Sequence, residues 1–135
     1  MITRPCLALD DARRIAAAAQ EEAHRQGWSV AIAIVDEGGH LAFFQRLDGT
    51  QLASCDIAIA KARTAALFRR PTKALEEAIA GGRTAVLKLP GATPIEGGLP
   101  LLHAGQVIGG IGVSGVQSAQ DGIVAAAGAA VLTAA

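Results

Sequence analysis

One lysine stands among apolar residues on a predicted helix. Lys61 falls on the same helical stripe as Ile57, Thr64 and Phe68, and Ser54 lies two turns earlier on nearly the same face. An ammonium group in apolar surroundings is costly to desolvate unless an anion accompanies it. Three interpretations stay open: a snorkelling or ion-paired structural lysine, a site that binds a carboxylate or another anion, and a catalytic amine.

Two acidic residues are candidates for completing such a site. Glu96 precedes Gly97-Gly98 in a loop bounded by glycine and proline, where the backbone can approach a ligand closely. We expect the pocket between the Lys61 face of the helix and this loop, with either Glu96 or a ligand carboxylate as the partner of Lys61. Asp121 is explained by capping of the last helix together with Ser118, and a binding role is its alternative.

Asp36 and Arg46 lie at the ends of a predicted hairpin. They are placed either to pair with each other or to line the mouth of a cleft.

A glycine-rich segment over 110–115 has the spacing G-x-G-x-x-G. A dinucleotide site would also need a following strand with an acidic residue about twenty positions on, and the sequence ends before one. Ser114 does not fit a nucleophile elbow, because Val116 occupies the place of the second glycine. Close packing of a strand is therefore the favoured interpretation of these glycines.

The composition favours self-association over binding to a polyanion. Twelve basic residues balance twelve acidic ones, which argues against a nucleic-acid partner and against attachment to a membrane surface. Only 18% of the residues are charged and 51% are hydrophobic. The 135 residues suit one domain over 1–135, and a small domain with so little charge is expected to face other copies of itself with part of its surface.

The location is expected to be cytoplasmic. The first fourteen residues contain no apolar core of a signal peptide, and residues 99–120 are too rich in glycine and polar side chains for a membrane helix. Cys6 and Cys55 are too few for a zinc site and are expected to be reduced thiols rather than a disulfide.

Hydrophobic periodicity and turn residues predict an α/β (α+β) domain. Hairpins with few crossovers imply a mostly antiparallel sheet of about five strands flanked by helices. The helix over 52–68 is apolar around its whole circumference, which indicates burial on all sides and hence a subunit interface. The predicted elements are helices over 9–26 and 52–68, a short helix capped by Thr72 and ending at Gly81-Gly82, a helix over 119–134, and strands over 29–36, 40–46, 84–89, 99–103 and 106–113.

Several blocks of the sequence together form a recognisable pattern. They are Val35–Leu41 and Arg46–Gly49 in the first hairpin, Ser54–Ala58, Lys61–Ala65, Phe68 and Pro71-Thr72 in the central helix, Pro94–Pro100 and Gly109–Gly115 in the loop and last strand, and Ala119–Asp121 with Ala127-Gly128 in the final helix. In this order the blocks resemble the GlcG/HbpS haem-binding-protein-like family and the C-terminal domain of PduO-type proteins. The resemblance covers the chain from about Leu7 onward and implies a profilin-like fold that assembles into dimers or larger rings.

The resemblance implies a small ligand, haem or a related tetrapyrrole for some members. A haem needs an axial ligand and an apolar slot, so His24, His40 and His103 are each a candidate ligand as well as a candidate surface residue.

Two alternatives to a binding module stay open. One is an enzyme acting on a small carboxylate or carbonyl compound, in which Lys61 binds the anion and Glu96 or Asp121 moves a proton. The other is an accessory protein that only assembles. Colour separates a haem-binding module from such an enzyme, because a haem protein absorbs in the Soret region.

Overall fold

The computed structural model describes residues 1–133, in which an antiparallel sheet carries helices on both faces. In chain order the elements are α1 (Leu9–Gln26), β1 (Ala31–Asp36), β2 (Leu41–Arg46), α2 (Ser54–Phe68), α3 (Thr72–Ala80), a 3-10 helix (Thr84–Lys88), β3 (Gly98–His103), β4 (Gln106–Ser114), α4 (Ser118–Ala129) and a second 3-10 helix (Ala130–Leu132).

The four strands lie in the order β2-β1-β4-β3, so β2 and β3 form the edges. Ala31 of β1 pairs with Arg46 on one side and with Ser114 on the other, and this register fixes which side chains share a face. Every neighbouring pair is antiparallel, as predicted.

The two faces of the sheet bury different kinds of side chain. On the face covered by α1 and α4, branched residues such as Ile15, Ile32, Ile34 and Ile111 form the larger core. On the face covered by α2, the buried residues are almost all alanines. The first core is therefore filled by side-chain bulk, and the second depends on close approach of the layers.

Glycines on β3 and β4 make that close approach possible. A Cβ atom at Gly110 or Gly112 would collide with the carbonyl oxygens of Ala62 and Ala58 on α2, and one at Gly98 would collide with that of Lys61. The glycine-rich segment thus packs a strand against a helix, as the sequence predicted.

The strand predicted over 84–89 is wrong, and the sheet has four strands rather than about five. This segment forms the 3-10 helix Thr84–Lys88, and Val86 is its single buried residue. A strand needs a partner ladder and a buried face, and one buried side chain supplies neither.

Two helix ends also differ from the prediction. Thr72 is the first residue of α3 rather than its cap, which is Pro71. The Thr72 hydroxyl accepts a hydrogen bond from the Gly98 N–H at 2.9 Å. The last helix ends at Ala129 and continues as the 3-10 turn, while the final predicted position, 134, lies outside the described residues.

None of the helices within residues 1–133 has the length and apolar character needed to cross a membrane.

Candidate functional site

Lys61 lies in a closed, polar cluster between α2, β4 and α4. Its side chain is 2% exposed, and so is that of Asp121. The Lys61 Nζ donates hydrogen bonds to the Val113 carbonyl oxygen at 3.0 Å and to Asp121 Oδ2 at 3.2 Å. The anion that accompanies Lys61 within the fold is therefore Asp121, whereas Glu96 was one of the two partners that the sequence left open.

Asp121 holds two elements together at the start of α4. Its Oδ1 accepts a hydrogen bond from the Val116 N–H at 3.1 Å, while Oδ2 faces Lys61. The predicted capping by Ser118 and Asp121 is wrong, because the cap residue is Gln117, whose N–H donates to the Gln120 side chain at 3.2 Å. Sixty residues separate Lys61 from Asp121 in the sequence, so their pairing depends on tertiary packing and no local motif indicates it.

Burial raises the pKa of the Asp121 carboxyl above its ordinary value of 3.8, and the ammonium group of Lys61 opposes this only in part. Desolvation is the larger effect because the carboxyl lies away from water.

Gly97 and Gly98 form the wall of this cluster, and neither position has room for a side chain. Gly97 has a φ of 133°, and a Cβ atom there would lie 2.7 Å from Lys61 Nζ. The Gly97 carbonyl oxygen accepts a hydrogen bond from the Val113 N–H at 2.9 Å. The two glycines thus bring the loop onto Lys61, as predicted, but the fit leaves the ammonium group enclosed.

Ser54 and Ser114 lie at one end of the same interface between α2 and β4. The two buried hydroxyl groups are 3.1 Å apart, and Gln51 Nε2 donates to Ser54 Oγ at 2.9 Å. These partners satisfy both hydroxyls without a base, so the geometry does not make Ser114 a nucleophile.

Glu96 lies against the first turn of α4 rather than against Lys61. A Cβ atom built at Gly122 would be 2.8 Å from Glu96 Oε2, and the Glu96 N–H donates to Glu76 Oε1 at 3.1 Å. The half-buried carboxylate therefore borders the closed cluster from outside.

Arg46 is separate from these residues. It lies on the edge strand β2, two strands away from Ser114. Pairing between Asp36 and Arg46 is wrong, because Asp36 lies at the other end of β1 and its Oδ1 accepts hydrogen bonds from the Gly38 and His40 N–H groups at 2.9 Å.

Arg46 instead lines an open cavity of about 350 Å³ with two aromatic side chains, His24 and Trp28. His24 and Arg46 are exposed, and the half-buried Trp28 packs against the larger core. Trp28 was not among the predicted site residues, although it is the only tryptophan and directly follows the helix-ending Gly27. Gln20, Ser29, Leu47 and Asp48 complete the lining.

The other two histidines have different surroundings. His103 lines a cavity of about 280 Å³ with Arg14, Cys6 and several apolar side chains. His40 is exposed, with its Nδ1 3.4 Å from Asp36 Oδ1. Within residues 1–133, no three His, Cys, Asp or Glu side chains come together as metal ligands.

Comparison with known proteins agrees with this architecture. The family model described as "Haem degrading protein HbpS-like" matches residues 7–130. Protein GlcG of Escherichia coli K12 is 49% identical over 114 residues, which cover 84% of this chain and 85% of GlcG.

Two crystal structures are similar over nearly the whole chain. A double mutant of Streptomyces reticuli HbpS is 35% identical with a TM-score of 0.90, and the match covers 98% of this chain and 90% of that one. The chain of a PduOC:heme complex is 28% identical with a TM-score of 0.84, covering 93% and 94% of the two chains.

Proposed function

The chain belongs to the HbpS-like family of haem-degrading proteins, and on that premise we propose that it binds haem or a related tetrapyrrole as a homo-oligomer. The observation that carries the proposal is the cavity formed by His24, Trp28 and Arg46, in a fold that superposes over 93% of its length on a chain crystallised with haem.

Three of the side chains that line this cavity suit a haem. His24 would supply an axial imidazole nitrogen, and the Trp28 ring offers a flat apolar surface for the porphyrin. The Arg46 guanidinium would pair with a propionate group. Haem bound here would supply a redox-active iron, while the protein residues fix its orientation and its contact with water.

The closed Lys61 cluster does not fit the same ligand. Lys61 and Asp121 are almost completely buried and hydrogen-bonded within the chain, and the walls are glycine backbone. Neither group supplies an iron ligand typical of haem proteins. The enzyme alternative, in which Lys61 binds an anion and Glu96 or Asp121 moves a proton, would first require this cluster to open.

The homo-oligomer is supported by the edge strand β2. Leu41 on this strand is 52% exposed, and Ala42 beside it is also exposed. Strand edges are usually protected by proline, charged side chains or a covering element. β3 has Pro100, whereas β2 has no proline and its one charged side chain is Arg46 at its last position. The cavity with His24 lies open beside β2, so a second copy placed on this edge would also cover an exposed haem face.

Titration with hemin tests the ligand. We expect a saturable Soret shift at about one haem per subunit or per dimer, lost in His24→Ala and retained in His40→Ala, a matched change at another exposed histidine. Arg46→Gln should weaken binding roughly tenfold, the size of one lost charge-assisted hydrogen bond. An unchanged spectrum in His24→Ala contradicts the site, and one unchanged after replacement of all three histidines excludes histidine ligation.

Light scattering tests the assembly. A dimer or larger ring should become monomeric in Leu41→Lys. Ile59→Lys should act in the same way, since the partly buried Ile59 packs at the margin of the alanine-rich core on the α2 face. Leu87→Lys is the matched control, since Leu87 is 63% exposed on the 3-10 helix away from β2. A parent protein that is monomeric at micromolar concentration would contradict the proposal, and it would leave haem binding to be judged by its own titration.

A further inference from the structure

A cleft at the opposite end of the sheet from His24 contains two arginines. The cavity has a volume of about 460 Å³, and it is formed by the N-terminal segment, the end of α2 and the β3–β4 hairpin. A smaller adjoining cavity of about 230 Å³ shares Arg4, Arg69 and Val107 with it and reaches Glu37. Arg4 and Arg69 therefore stand in the wall that the two neighbouring cavities share.

Arg69 has an unusual backbone conformation for its residue type. It is the C-cap of α2 with a φ of 56°, in the left-handed region that glycine normally occupies at helix ends. A side chain at this position is retained against a steric cost, and such strained residues concentrate at functional sites.

The Arg69 guanidinium also has free donors. The hydrogen bonds and ion pairs found within residues 1–133 include none from its side chain. Arg4 has one partner, Glu37, at 2.7 Å, and both of those side chains are about two-fifths exposed. Positive charge in the cleft thus exceeds negative charge, and the guanidinium fork of Arg69 is open to a ligand.

The remaining lining defines what kind of molecule fits. Leu102 and Val107 offer apolar contact, whereas Thr3 and Gln106 offer polar groups. Guanidinium groups bind carboxylate and phosphate oxygens in pairs of parallel hydrogen bonds.

We propose that Arg69 and Arg4 form a binding site for a small organic anion with a carboxylate or phosphate group. Arg69 makes the bidentate contact. Arg4 adds its positive charge, and its ion pair with Glu37 is either broken or kept while the anion binds. The site lies beyond the proposed haem site, because His24 and Arg46 lie by the end of the sheet where Ala31 pairs with Ser114, and this cleft lies by the Gln106 end of β4.

Calorimetric titration at low ionic strength with succinate, inorganic phosphate and acetate tests the proposal. We expect saturable binding of succinate or phosphate, and the stronger of the two identifies the anionic group. Arg69→Gln should weaken binding about tenfold or more. Arg70→Gln should leave it unchanged, since the neighbouring Arg70 donates to the Phe68 carbonyl oxygen and lines neither cavity.

Two further variants separate binding from folding. Arg69→Gly should lose binding while its unfolding midpoint stays equal or rises, because glycine accepts a positive φ without strain. Glu37→Gln should strengthen binding several-fold by releasing Arg4. The proposal is overturned if the parent shows no saturable binding of any of the three anions, or if Arg69→Gln and Arg70→Gln weaken binding equally.

Discussion

The Lys61–Asp121 cluster and the His24–Arg46 cavity both combine a cation with polar neighbours, but they differ in how far those groups are satisfied. In the cluster, Lys61 bonds to Asp121 and to a backbone carbonyl, and both side chains are 2% exposed. In the cavity, His24 and Arg46 are exposed side by side with Trp28. A charge that the chain itself neutralises has little left to offer a ligand. This contrast supports our proposal that the cluster serves the fold and the cavity binds the ligand.

Among the changes that test this contrast, removing the charge of Lys61 should have the largest effect on stability. Lys61→Met leaves the buried Asp121 carboxylate without its cation, and we expect a loss of about 3–5 kcal/mol in the free energy of unfolding. In Lys61→Met/Asp121→Asn much of this loss should return, since asparagine keeps an acceptor for the Val116 N–H. Urea unfolding at neutral pH measures the stability of both variants. A Lys61→Met protein as stable as the parent would show that the ion pair contributes nothing to the fold.

A methyl group on the cluster wall should have the next largest effect. Gly97→Ala introduces both a strained positive φ and a Cβ atom 2.7 Å from Lys61 Nζ. Gly91→Ala also has a positive φ, but at 74° it lies close to the left-handed region that L-residues can adopt, and there is open space around the added atom. We expect Gly97→Ala to be less stable than Gly91→Ala by about 1–3 kcal/mol, the usual cost of overpacking. Equal losses of stability in the two variants would show that the residues around Gly97 move to accommodate the methyl group.

The raised pKa of Asp121 predicts a smaller, pH-dependent difference. A carboxyl whose pKa is higher in the folded state stabilises the fold fully below its unfolded pKa, and this stabilisation is lost as pH rises through the folded pKa. The stability difference between Asp121→Asn and the parent should therefore move in favour of Asp121→Asn as pH rises above the ordinary carboxyl value of 3.8. The Ala8 N–H and Arg14 lower the pKa of Asp11, which has the opposite pH dependence, but Asp11 is common to both proteins and cancels in the difference.

Changes in the open cavity should have the smallest effect on stability. His24→Ala and Arg46→Gln are expected to shift the free energy of unfolding by no more than about 0.5 kcal/mol, because both side chains are exposed. Thermal unfolding without haem checks this alongside the hemin titration. A large loss of stability in either variant would remove the distinction between cavity and cluster.

Local patterns predicted most of the fold. The helix over 9–26 coincides with α1, and both hairpins lie within two residues of their predicted bounds. Those elements have strong local signals, such as Gly27 at the end of α1 and Gly38-Gly39 between β1 and β2. The segment 84–89 was mistaken for a strand because a short apolar run does not reveal whether a partner strand exists.

The site was predicted only in part, for a related reason. Lys61 was identified from its helical stripe, and Gly97-Gly98 was correctly placed beside it. Its partner was misassigned, because the pairing of Lys61 with Asp121 depends on how α4 docks on the sheet and no spacing encodes that. The association of Arg46 with Trp28 and His24 likewise arises where α1, β1 and β2 meet, so it is visible only in three dimensions.

The glycines at 98, 110 and 112 have a consequence for how the molecule can move. Because backbone atoms of α2 rest on backbone atoms of the sheet, few side chains lie between the layers to absorb a displacement by changing rotamer. A shift of α2 would have to be taken up by the sheet itself. α2 runs from Ser54 near one end of the sheet to Arg69 near the other. We therefore expect α2 and the sheet to move together as one rigid body, with little sliding between them.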